Sequence, residues 1–259
     1  MPVTQNAVFR LTPPTLATLN QARKKPVAHW REPITNQNAS GESAGPLMLF
    51  SGLGADESVF RRQKEAFPEL VTPAWQQPLP HESLTDYCER WAGDLRSFQP
   101  RFLGGASFGG LIAQEIARIL KPEAVFLIGS ARADRPLPQR IRVLSLLARG
   151  LPWLPVRGLQ QFVRLGVATM PIGRASAFSE IARQFARSDP ALLRWSARQI
   201  LEWRPRPVLE CPIYQIRGAA DWIFPASAAT PDVIVAGGGH VISLTHGAAV
   251  NEFLREHLM

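Results

Sequence analysis

The stretch Gly105-Ala106-Ser107-Phe108-Gly109 decides how this chain is read. Before it stands Phe102-Leu103, a short apolar lead-in of strand type. After it runs Leu111-Ile112-Ala113-Gln114-Glu115-Ile116-Ala117, a strong helical pattern. A serine between strand and helix exposes its oxygen only on a sharp, strained turn with φ > 0. Side chains two residues to either side would then collide, and Gly105 and Gly109 leave the room. Gly109, Ala113 and Ala117 also form a small-residue stripe that lets the helix pack closely on a sheet. The start of that helix offers its partial positive charge to an oxyanion developing beside Ser107. The five-residue pattern arises by chance in roughly one chain in ten of this length, so its flanks carry the weight. A plain glycine-rich turn with an incidental serine is the competing reading.

Two later stretches supply partners for a serine. Asp221 follows the apolar run 213–216 and the turn Arg217-Gly218-Ala219-Ala220, and His240 follows the run 233–236 and Gly237-Gly238-Gly239. A general base must stand on a loop at the carboxyl edge of a parallel sheet, which suits His240. His246 and His257 fall at or within a closing helix and read as surface residues, whereas His29 and His81 sit in proline-flanked segments before the serine. A carboxylate at Asp221 would orient the imidazole and stabilise the imidazolium. Asp134, after the preceding strand, competes for that role. An oxyanion needs two backbone N–H donors. Phe108, directly after the serine, is one, and Leu53 in Ser51-Gly52-Leu53-Gly54 is the other, with a simple glycine-rich turn as the alternative there.

The rest of the chain frames these motifs. Its 259 residues, 46% of them hydrophobic, suit one large α/β domain with an insertion, or at most two domains. Residues 1–45 are polar and proline-punctuated, with a short helix expected over 15–25 and a loop over 35–45. The sequon Asn38-Ala39-Ser40 in that loop means little without a secretion signal. Leu47-Met48-Leu49-Phe50 reads as a buried strand, and 83–98 as a helix capped by Ser83 with Leu84, Tyr87, Cys88, Trp91 and Leu95 on one face. A helix over about 108–120 and a strand over 124–128 follow. Region 131–206 differs. It carries amphipathic helical patterns (Ile141-Val143-Leu144-Leu147, Phe162-Val163-Leu165, Leu192-Leu193-Trp195), and fourteen arginines and no lysine against four acids. Strands resume at 213–216 and 233–236, and a helix closes the chain over about 248–258.

Composition narrows the function classes. No apolar run approaches the ~18 residues of a membrane span, and the first residues lack a signal-type apolar core, so a cytoplasmic protein is expected. Cys88 and Cys211 form no C-x-x-C pair and read as buried small apolar residues. The net charge of +8 would permit anionic partners. The basic residues are not interleaved with stacking aromatics, however, so no nucleic-acid partner is expected and a solvated arginine-rich face is the simpler account.

Taken together, the chain resembles the α/β-hydrolase superfamily over 46–130 and 207–259. Within this resemblance Ser51-Gly52-Leu53-Gly54-Ala55-Asp56 matches the oxyanion loop and Gly105 to Gly109 the nucleophile elbow. Cys211-Pro212 to Asp221 matches the acid strand, and Gly238-Gly239-His240 the histidine loop. The resemblance implies an α/β fold with a doubly wound, mostly parallel sheet, an inserted helical cap over 131–206 and an N-terminal extension over 1–45. It also implies a Ser107–His240–Asp221 triad, with Leu53 and Phe108 as oxyanion donors and acyl transfer through an acyl-enzyme. No metal or organic cofactor is implied. A serine nucleophile argues against haloalkane dehalogenase and epoxide hydrolase chemistry, which similar enzymes run with an aspartate.

There are two departures. Ser51-Gly52 stands where the family often has His-Gly, which bears on how that loop is anchored. Only 19 positions separate Asp221 from His240, so the intervening helix is expected to be reduced or absent. The expected substrate is a small hydrophobic ester or acyl compound. Thioesterase, lipase, C–C hydrolase and perhydrolase activities stay open beside carboxylic-ester hydrolysis. So do a non-catalytic ligand-binding protein on the same scaffold and a lipid-surface or partner-binding protein using the basic cap.

Overall fold

The computed structural model describes residues 46–138, 141, 156–169, 177–225 and 230–258. The helix expected over 15–25, the loop over 35–45 with its sequon, and all but Ile141 of the first inserted helical pattern lie outside them.

Short apolar runs bounded by glycine form the sheet. Strands β1 (Leu47–Phe50), β2 (Phe102–Ala106), β3 (Ala124–Ile128), β4 (Ile213–Gly218) and β5 (Val233–Val235) pair in that order, and every pairing is parallel. Beyond β1, Val71 bonds in parallel fashion to Leu47 and Leu49 on the edge that β2 does not use. The chain therefore adds first to one side of β1 and then steps out through β2 to β5 on the other. That reversal makes the sheet doubly wound and places a crevice at the carboxyl end of β1.

Continuous apolar strands need cover on both faces, and the period of two divides their side chains. Met48, Phe50, Leu103, Val125 and Leu127 join one core cluster with the helices α2 (Leu84–Leu95) and α3 (Phe108–Leu120). Leu47, Leu49, Phe102, Phe126, Ile128 and Ile216 join the other, with Val59 and Phe60 just before α1 (Arg61–Ala66) and, after β5, a short turn of helix and the closing helix. Trp91 at the centre of α2 is wholly buried against Phe50 and Tyr87. Full burial of such a side chain contributes on the order of 1.5–3 kcal/mol.

Ser83 caps α2 as expected, its Oγ accepting the Asp86 N–H at 3.2 Å. Tyr87, Cys88, Trp91 and Leu95 form its buried face, and a 3₁₀ turn over Arg96–Phe98 completes it. Gly109 sets α3 directly on the end of β1, since a Cβ there would overlap the Phe50 and Ser51 carbonyls. Ala113 and Ala117 continue that contact, both buried.

Among the described residues, the helices α4 (Val156–Thr169), α5 (Ala177–Arg187) and α6 (Pro190–Leu201) are inserted between β3 and β4. Asp189 caps α6 through Oδ1 and Pro190 opens its first turn. The chain closes with α7 (Ile242–Thr245) and α8 (Gly247–His257). Two small expectations are corrected. Cys211 is only half-buried, because it precedes β4 rather than lying inside the sheet. His257 is no loose surface residue: its ring lies 4.0 Å from that of Tyr214 and its Nδ1 bonds to the Phe253 carbonyl at 2.8 Å. Among the described residues, no helix is long and apolar enough to cross a membrane.

Candidate active site

Ser107 stands between β2 and α3 with φ 53° and ψ −121°, the left-handed turn expected of an exposed nucleophile. Gly105 permits it, because a Cβ there would run into the backbone of Gly109. The Ser107 carbonyl is held from two directions, by the Gly110 N–H at 3.0 Å and by the Ser130 hydroxyl at 2.6 Å.

The three side chains singled out by sequence form one hydrogen-bonded line. His240 Nε2 lies 3.0 Å from Ser107 Oγ, and His240 Nδ1 lies 3.0 Å and 3.2 Å from Asp221 Oδ2 and Oδ1. Because a carboxylate only accepts, Nδ1 carries the ring proton, and Nε2 is left to accept from the Ser107 hydroxyl. The Asp221 side chain is fully buried, while the imidazole keeps 19% of its exposure. Burial of a carboxylate needs donors, and Ile223 and Phe224 supply backbone N–H groups to Oδ1 at 2.8 Å and 2.9 Å. Asp134 is in another place. It faces Arg132 at 3.5 Å, and among the described residues no hydrogen bond joins it to His240.

The short spacing from Asp221 to His240 is accommodated by close backbone contact. The Ala220 N–H donates to the Gly238 carbonyl at 2.8 Å, and no helix occurs among the described residues between Asp221 and β5.

The loop after β1 packs against the serine: a Cβ on Gly52 would stand 3.3 Å from Ser107 Cβ and 3.9 Å from its Oγ. Leu53 follows in that loop, and Phe108 opens α3, where the first N–H groups have no acceptor within the helix. Ser51, the serine noted as a departure in that loop, is a buried anchor. Its hydroxyl donates to the Ala55 carbonyl and accepts from Trp75 Nε1, both at 2.9 Å. Trp75 in turn stacks on Phe108, with centroids 5.7 Å apart and planes 10° apart.

The inserted helices grip the same loop. Ser188 Oγ donates to the Gly54 carbonyl at 3.1 Å, and Gln184 Oε1 accepts the Asp56 N–H at 3.1 Å. From α6, Trp195 donates through Nε1 to the Glu82 carbonyl at 2.8 Å and meets Phe108 edge-on at 6.2 Å.

Sequence reading missed Ser130, Arg217, Gln184 and Ser188. Arg217 did carry a signal, as a lone charge at the end of an apolar strand. The other three are short polar residues whose partners lie far off in the chain, and nothing local marks them. Among the described residues, no group of three or more His, Cys, Asp or Glu side chains is placed to hold a metal ion.

No protein-family model matches the sequence, and none of the curated proteins matches it either. Solved structures do match. A thermophilic esterase from Thermogutta terrifontis superposes with a TM-score of 0.62 at 20% identity, over 83% of this chain and 89% of that one. An enol-lactonase from Burkholderia xenovorans superposes at 0.60 and 17% identity, over 82% and 90%. A thioesterase of the prodiginine pathway in Streptomyces coelicolor gives 0.53 and 20%, over 86% and 97%. At such identities the likeness speaks for architecture, and it agrees with the parallel sheet and its helices. This chain has the α/β-hydrolase fold.

Proposed function

We propose that the protein is a serine hydrolase that cleaves a carboxylic ester or a related acyl bond of a small, hydrophobic substrate. Ser107 is the nucleophile, His240 the general base and Asp221 the acid partner, with the Phe108 and Leu53 N–H groups as oxyanion donors. Residues 131–206 act as a cap over a core of 46–130 and 207–259, and residues 1–45 as an extension. The observation that carries this reading is the unbroken hydrogen-bonded line from Ser107 Oγ through His240 to the buried Asp221 carboxylate.

In the first step Ser107 Oγ attacks the acyl carbonyl while His240 Nε2 takes its proton. Asp221 stabilises the imidazolium. The carbonyl oxygen becomes an oxyanion that the two N–H groups and the start of α3 stabilise. The imidazolium then protonates the leaving group as the tetrahedral adduct collapses to an acyl-enzyme. Water, deprotonated by His240, attacks that ester, and a second collapse returns the proton to Ser107. The apolar faces of the inserted helices, and Trp195 beside Phe108, favour an apolar acyl group.

The test is covalent labelling with a fluorophosphonate, followed by turnover of aryl esters of increasing acyl length. Labelling at Ser107 that is lost in His240→Ala is the expected outcome. Folded protein that takes no label and turns over no ester overturns the hydrolase reading in favour of a ligand-binding protein.

A further inference from the structure

A buried cation is bonded directly to the acid turn and, through Ser130, to the nucleophile turn. Arg217, at the carboxyl end of β4, is 2% exposed. Its Nη2 donates to the Ser130 carbonyl at 2.9 Å, and its Nη1 to the carbonyls of Pro225 at 3.0 Å and Phe224 at 3.4 Å. Each of these contacts leads onward. The Ser130 hydroxyl donates to the Ser107 carbonyl, and the Phe224 N–H donates to Asp221 Oδ1. Gln215, one strand position pair before Arg217, adds a second donor to the Ser130 carbonyl at 2.7 Å.

We propose that Arg217 is a positioning residue: its guanidinium holds the Ser107 turn and the Asp221 turn at a fixed separation, and so sets His240 between them. The kinetic consequences rest on the serine-hydrolase reading; the geometric ones do not. The choice of side chain fits the task. A guanidinium is a rigid planar fork with donors at fixed spacing, whereas an ammonium is a point charge on a flexible stem. Its burial is unfavourable, since desolvation lowers the guanidinium pKa below its ordinary value, opposed by the Asp221 carboxylate. An apolar residue would fill the site without that penalty but would leave the carbonyls of Ser130, Phe224 and Pro225 without this donor.

The test uses Arg217→Gln, Arg217→Lys and Ser130→Ala in the full chain. Two readouts are taken: the proton resonance of His240 Nδ1–H, and the rate of fluorophosphonate labelling at Ser107 with kcat and KM on an aryl ester. A misplacement of about 1 Å costs on the order of 10²-fold in rate, so Arg217→Gln should lose about that in kcat and labelling, with KM within about twofold. Its Nδ1–H resonance should broaden or move upfield. Arg217→Lys should recover part of both, and Ser130→Ala should lose about tenfold in kcat by removing one of the two donors to the Ser107 carbonyl. If Arg217→Gln fails to fold, the other two variants decide the matter. Folded variants with an unchanged imidazole signal and rates within about twofold of the parent would overturn the proposal. So would losses that track only the unfolded fraction. Should the parent take no probe at all, the hydrolase reading fails, and the imidazole resonance alone judges Arg217.

Discussion

The two turns that bear Ser107 and Asp221 are built by different means. At Ser107 the chain itself does the work: a left-handed backbone, glycines at 105 and 109, and a helix beginning at the next residue. At Asp221 local backbone bonds are joined by one long-range tie. Backbone N–H groups fold back on the carboxylate, and Arg217 ties the carbonyls beyond it to Ser130, 87 positions away. The Ser107 turn, whose carbonyl is held from outside by the Ser130 hydroxyl, is the more sensitive to change in its own residues. An assembled turn is sensitive to substitutions outside it.

The largest expected effect removes the difference altogether. Ser107→Ala should abolish fluorophosphonate labelling and lower turnover by about 10⁶-fold, leaving only what binding and oxyanion donors give over water. Next comes the carboxylate. Asp221→Asn should lose about 10⁴-fold in kcat by spoiling the imidazole tautomer, while Asp134→Asn stays within about twofold. The reverse ranking in steady-state kinetics would move the acid to the other turn.

Gly109→Ala sharpens the local half of the comparison. Its new Cβ would overlap the carbonyls of Phe50 and Ser51, so the variant should lose about 1–3 kcal/mol in denaturant unfolding, together with most of its activity. Ser51→Ala probes the anchored loop: leaving Trp75 Nε1 without its acceptor should cost about 1–3 kcal/mol, with a fall in kcat exceeding that in the labelled fraction. The smallest effect belongs to α5. Hydrogen bonds from Arg183 and then Gln184 hold the Glu180 carboxyl below its ordinary value. A depressed pKa adds stability that is present above the unfolded value and lost as pH falls through the folded one. Thermal unfolding of Glu180→Gln should therefore lack a small part, about a degree, of the parent's decline in acid.

The same contrast explains what could be read from the sequence. The strands, the Ser83 cap, the Ser107 turn and the side chains of Asp221 and His240 all follow from nearest-neighbour patterns: apolar runs closed by glycine, helical spacing and cap residues. The parallel sheet and its helices followed from their alternation. Ser130, Gln184 and Ser188 were not legible, because a short polar side chain does not advertise an acceptor many residues away. Arg217 announced a cost without naming its partners. Ser51 was noticed as a departure from the family's histidine, yet only its contacts to Ala55 and Trp75 give it a role.

The hold that Ser188 and Gln184 keep on Gly54 and Asp56 has a bearing on the order of events. If α5 lifts away from the sheet, the Gly54 carbonyl and the Asp56 N–H lose these partners in the same movement. On the proposed hydrolase reading, any outward movement of α5 would loosen the strip beside the nucleophile at the same stroke, so that access and readiness are tied together.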